Sequence, residues 1–94
     1  MVIMFKYEIG EKVYKPKGYT FIGTVVGRYT VDGGNRYDVQ VDGQQAVARL
    51  HELMRKDLIK IPRVHTLMEL EGLLMNCHGM IHIFSEEQLA RHDK

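Results

Sequence analysis

The sequence has no Trp, one Cys, two Pro and almost no net charge. The single Cys77 cannot form an internal disulfide, so no disulfide framework carries the fold and nothing marks the chain as secreted. Thirteen basic against 12 acidic residues leave a formal charge of +1. That removes the basic excess of a protein that grips nucleic acid mainly by electrostatics. Long hydrophobic runs are missing too. The apolar start, Met1-Val2-Ile3-Met4-Phe5, is shorter than the apolar stretch of about 7–15 residues in a signal peptide and the roughly 20 of a membrane span. The expectation is a cytoplasmic protein with no membrane contact, of a kind that a phage or plasmid could encode.

What is present suits one small domain over residues 1–94, since domains run from about 50 residues upward. The first 42 residues read as β. Glu8 to Lys15 alternates loosely, with Ile9 and Val13 on one strand face, and Pro16-Lys17-Gly18 is a turn signal. Tyr19 to Thr30 is rich in residues that suit a pleated surface, and Gly23 and Gly27 within it suggest a bulge or sharp coiling. Asp32-Gly33-Gly34-Asn35 is a hairpin turn, because these residues tolerate positive φ. In Arg36 to Asp42, Tyr37, Val39 and Val41 alternate with polar residues, the clearest period-2 pattern in the chain.

The period then changes. Val47, Leu50, Leu53, Met54 and Leu58 recur at helical spacing, and Asp42 with Gln45 has the spacing of a capping box. Thr66 with Glu69 repeats that spacing and opens a second helix through Leu67, Leu70, Leu73 and Leu74, in which Gly72 is a weak point. Gly79 then precedes a strand, Met80 to Phe84, and Ser85 to Leu89 reads as a short capped turn. These readings predict an α+β protein, mainly β, on a small SH3-like barrel. Its strands run over about 7–15, 20–30, 35–42 and 79–84, and its helices, about 44–57 and 66–75, fall in an insert spanning 43–76.

Chemistry-bearing motifs are sparse. His51, His65, His78, His82, His92 and Cys77 are potential metal ligands. Only His78 and His82 have a suitable gap, and in one extended run they stand about 13 Å apart, too far to share an ion. Cys77 and His78 are neighbours whose side chains diverge on a strand, so no thiolate nucleophile is expected. The basic bias of residues 49–63, including Arg49, Arg55, Lys56, Lys60 and Arg63, reads as a solvated helix face. A winged-helix reading of the two helices and following strand fails on the all-β beginning and on Glu69 and Glu71 in the second helix.

Residues 8–30, with Gly10, Val13 and Lys15 followed by Gly23-Thr24-Val25-Val26-Gly27, resemble the opening of the plasmid-borne type II dihydrofolate reductases. Residues 79–89 resemble that family's Gly-Ser-Val-Gln-Ile-Tyr strand and terminal Leu. The resemblance implies an SH3-like barrel assembling as a homotetramer around a pore where NADPH and dihydrofolate meet. Carried over by position, it implies substrate and cofactor contacts at Lys15, Ile81, His82, Ile83 and Phe84. His82 and Phe84 stand where the family has Gln and Tyr, which exchanges an amide for an imidazole and drops a hydroxyl. The insert has no counterpart there. Two functions follow as expectations: first, a binding protein that acts through its helical insert and barrel surface, as a homo-oligomer or with a protein partner; second, a divergent NADPH-dependent reductase. A nucleic-acid-binding module ranks last, and no metal site is expected.

Overall fold

A computed structural model describes residues 4–17, 21–61 and 63–92. The chain forms five antiparallel strands and two α-helices: β1 (Lys12–Tyr14), β2 (Ile22–Val31), β3 (Gly34–Val41), α1 (Gly43–Arg55), α2 (Val64–Asn76), β4 (Ile81–Ser85) and β5 (Ala90–Arg91), with a 3-10 turn at Glu86–Gln88. The sheet order is β4-β3-β2-β1-β5. It is an open sheet and not a closed barrel, which corrects the closed form expected from the strand pattern. β4 pairs only with β3 and β5 only with β1. A two-residue β5 offers too few ladder bonds to reach β4 and seal the cylinder.

Local chemistry explains most of the strands. Asp32 and Gly33 both take positive φ, 51° and 77°, which is the turn that joins twisted strands with two residues. Beyond it Tyr37, Val39 and Val41 are all buried. The β2–β3 register slips between Val25 and Gly27, a bulge where the glycines predicted one. The first strand is shorter than expected. Gly10 takes φ 90° and the Glu11 N–H closes a turn on the Glu8 carbonyl at 3.1 Å. The regular strand therefore starts only at Lys12, after irregular bonds from Gly10 and Glu11 to Val25, and Ile9 is exposed while Val13 is buried. Gly18 of the following turn signal lies outside the described residues.

The main core joins Tyr7, Val13, Val25, Tyr37, Val39 and Leu89, with Phe5, Phe21 and Phe84 against it. Its polar atoms are satisfied across long sequence distances. Tyr7 Oη donates to the Leu89 carbonyl at 2.8 Å, and Tyr37 Oη accepts from the Lys6 N–H at 2.9 Å. Glu86 accepts from the Lys6 N–H and from Asn35 Nδ2, so the 3-10 turn is tied to both the start of the chain and β3.

β5 has no signal in the sequence and is held by pairing with β1 and by the Arg91 side chain. Arg91 donates through Nε to Glu11 and through Nη2 to the Lys6 carbonyl at 2.9 Å, and the His92 N–H donates to the Lys12 carbonyl at 3.1 Å. The Arg91 hydrogen bond, then the Glu8 N–H, hold the Glu11 carboxyl below its usual 4.5. Because the ionised form is the one favoured by the clamp, the clamp is at full strength above that value. It is lost as pH falls through the lowered pKa. The protection factor of the His92 amide should drop in that acid range, and Glu11→Gln should remove the pH dependence. A protection factor unchanged on acidification would exclude the clamp.

The helices form a hairpin. Asp42 Oδ1 accepts from the Gln45 N–H at 3.0 Å, as the capping spacing predicted, and α1 seats Gly43, Ala46 and Leu50. It ends where Asp57 takes φ 57°. Pro62, a residue type that disfavours helix just before it, lies outside the described residues. α2 starts at Val64 with Arg63 as its cap. Thr66 therefore lies inside the first turn and is not the capping residue its spacing suggested. Gly72 does not interrupt α2, which continues to Asn76. The molecule is elongated, 52 × 24 × 23 Å.

Candidate functional surface

The residues carried over from the reductase resemblance lie along β4 and beside β1. β4 is the outer strand of the sheet. Its register pairs His82 with Val39 and Phe84 with Tyr37, but Ile81 with Gln40 and Ile83 with Asp38. Directly opposed residues share a face, so His82 and Phe84 lie on the core side and Ile81 and Ile83 on the outer side. Phe21 completes the inner group, with its ring centroid 4.8 Å from Phe84 and 6.0 Å from His82. Lys15 enters through the backbone, its N–H donating to the Phe21 carbonyl at 3.3 Å. His82 and Phe84 are thus gathered around Phe21, while Ile81 and Ile83 face away from them, 57% and 61% exposed.

The open edge of β4 has a definite polarity. The Ser85 N–H is taken by Gln88 Oε1 at 2.9 Å, so it points away from β3. By the two-residue period of a strand, the N–H groups of Ile83 and Ile81 turn the same way, toward the free edge.

The histidines and cysteine are spread over different roles. His78 Nδ1 accepts from the Gly43 N–H at 2.9 Å, serving as an extra cap for α1. Cys77 ends α2. His51 Nε2 and Glu71 Oε2 are 2.5 Å apart and join α1 to α2. Among the described residues no group of three or more His, Cys, Asp or Glu is placed to hold a metal ion.

α2 is the unusual element. Leu67, Leu70 and Leu74 are half-buried toward α1, yet no residue of α2 is fully buried. On its other sides Val64, Met68, Leu73 and Met75 are 74%, 64%, 56% and 43% exposed. A helix apolar on more than one side is ordinarily enclosed. Here, among the described residues, α1 is the element that chiefly covers it. Sequence periodicity found the helix but could not tell which of its apolar stripes would find cover.

Together these features define a small α+β protein: a five-stranded open antiparallel sheet carrying a projecting helical hairpin. Among the described residues no helix is long and apolar enough to cross a membrane. Comparison with protein families, curated proteins and solved structures finds no match to this chain.

Proposed function

We propose that the chain is a small interaction protein built on an SH3-like barrel left open at one side, and that its helical insert joins it to a second copy of itself. The observation that carries this reading is the double-sided apolar character of α2. Three features support the barrel relationship: the strand order, the strongly bulged β2, and the 3-10 turn between the last two strands.

The second copy is favoured by area and charge. Val64, Met68, Leu73, Met75, Met80, Ile81 and Ile83 are large apolar residues exposed within one stretch of chain. Burying the open part of each removes roughly 60 Å², and together on the order of 400 Å². A standard interface takes about 800 Å² per partner, a little over half of it apolar. The exposed apolar surface of α2 and β4 taken together is therefore of the size one partner needs, with α2 supplying the larger share. A net charge of +1 presents no field for an oppositely charged partner and little repulsion against an identical one. Two hairpins packed α2 against α2 about a two-fold axis would make a four-helix bundle, with the same stripe used by both chains.

Light scattering on the eluting protein should give about twice the 10.9 kDa chain mass. Val64→Glu with Met68→Glu, both at exposed positions, should return it to one chain mass with an unchanged far-UV circular dichroism spectrum. A single chain mass at every concentration would refute self-association, as would a dimer indifferent to the double substitution. In the reductase reading, dihydrofolate would meet NADPH beside His82 and Phe84. Phe84 offers no hydroxyl there, and NADPH oxidation in the presence of dihydrofolate is expected to stay at background.

A further inference from the structure

Away from β4 and α2, the opposite end of the sheet holds a cleft between β1, β5 and α1. It encloses about 770 Å³, within the range of small-molecule sites. Its wall carries four cations, Lys12, Arg49, Lys56 and Arg91, together with His92, against one carboxylate, Glu52. Three of the cations already have counter-ions. Lys12 faces Asp42 at 3.8 Å, Lys56 faces Glu52 at 3.0 Å, and Arg91 is bound to Glu11.

Arg49 differs from these. Its guanidinium lies over the Tyr14 ring, 4.4 Å from the centroid, and the His92 ring meets Tyr14 edge-on at 5.9 Å. Nη1 of Arg49 is buried, and among the described residues no hydrogen-bond partner reaches it. Burial lowers the Arg49 pKa, against the opposing influence of Tyr14 and Glu52. A buried donor on a charged group that lacks its acceptor is destabilising. Among the described residues Arg49 has no carboxylate within ion-pair distance, and its planar guanidinium fork suits phosphate oxygens arriving in the cleft. Beside these groups the half-buried Leu53 gives the cleft an apolar wall, with the buried Ile22 beneath it.

We propose that this cleft binds a small phosphorylated organic ligand, its phosphate on Arg49 with support from Lys12 and Lys56 and its organic body against Leu53. The site is independent of self-association, because none of its groups comes from α2 or β4.

Titration calorimetry in low-salt, phosphate-free buffer tests it with adenosine monophosphate, inorganic phosphate and adenosine as probes. Saturable binding of adenosine monophosphate is expected, tighter than either fragment. Arg49→Gln should weaken it by about tenfold to a hundredfold. Arg49→Lys keeps the stem and charge and should weaken it by a smaller factor, about threefold or more, which preserves the test if the Gln variant folds poorly. Three results would overturn the assignment: no saturation by roughly millimolar concentration, unchanged affinity in both variants, or a fragment that binds as tightly as adenosine monophosphate.

Discussion

Replacing Tyr37 by Ala should abolish the folded state at room temperature. The ring is fully buried and packs edge-on against Phe5 and Tyr7, with centroids 6.1 and 5.2 Å away. Truncating a buried aromatic to Ala costs about 3–5 kcal/mol. Here the loss also strips the acceptor from the buried Tyr7 N–H, at about 1–3 kcal/mol when such a donor is left unsatisfied, while the Lys6 N–H keeps Glu86. A domain of this size has roughly 5–14 kcal/mol in total. Burial also raises the Tyr37 pKa, the two backbone N–H groups opposing it, so the phenol stays neutral through the physiological range. Tyr37→Phe separates the two contributions. It keeps the ring and removes only the acceptor, and should fold with a lowered urea midpoint. Equal midpoints for wild type and Tyr37→Phe would show that the hydroxyl contributes nothing.

Gly43→Val should detach the hairpin without unfolding the sheet. A Cβ on Gly43 would stand 2.6 Å from the Leu74 carbonyl oxygen and 2.9 Å from His78 Cβ. The first of these is backbone within α2 and cannot rotate aside. Relief requires α2 to move away from the start of α1, which breaks the Gly43–His78 hydrogen bond and uncovers Leu67, Leu70 and Leu74. Strands β1 to β3 are untouched. The expected result is lost amide protection across α2 with retained protection at Val39 and Val41, together with loss of the dimer. A variant whose α2 amides stay as protected as in the wild type would show that the helices do not depend on this close approach.

The two variants also mark how far the sequence could be read. Tyr37, Val39 and Val41 were legible because a half-buried strand imposes its period directly on residue type. Asp32 and Gly33 were legible because few residues tolerate positive φ. Thr66 misled because its spacing to Glu69 satisfies a capping rule that the fold did not use. At the surface of α2 solvent can satisfy the first-turn N–H groups, and the helix begins at Val64 without a side-chain cap. β5 left no signal, since two residues carry no pattern and Ala90 and Arg91 are ordered by their partners on β1. The site candidates divided in the same way. Alternation along β4 is a local property, so the placement of His82 and Phe84 opposite to Ile81 and Ile83 follows from the sequence once the strand is found. Arg49 read as part of a solvated helix face. Its packing against Tyr14, and its neighbours Lys12 and Arg91, come from segments far apart in the chain, and no spacing rule joins them.

The pairing of Val13 with Arg91 also governs the order in which the chain can fold as it is made. The β2–β3 hairpin and the α1–α2 hairpin are local and close as soon as their residues leave the ribosome. β1 has one edge on β2 from the outset, but its other edge waits for residues nearly a full chain length later. Loop-closure entropy rises only slowly with such a separation, so the wait is one of synthesis time more than of thermodynamic cost. At about 5–20 residues per second, the nascent chain spends several seconds with Tyr7 and Val13 lacking the cover of Leu89. During that interval the core side chains of β1 stand open on the side that Leu89 will cover.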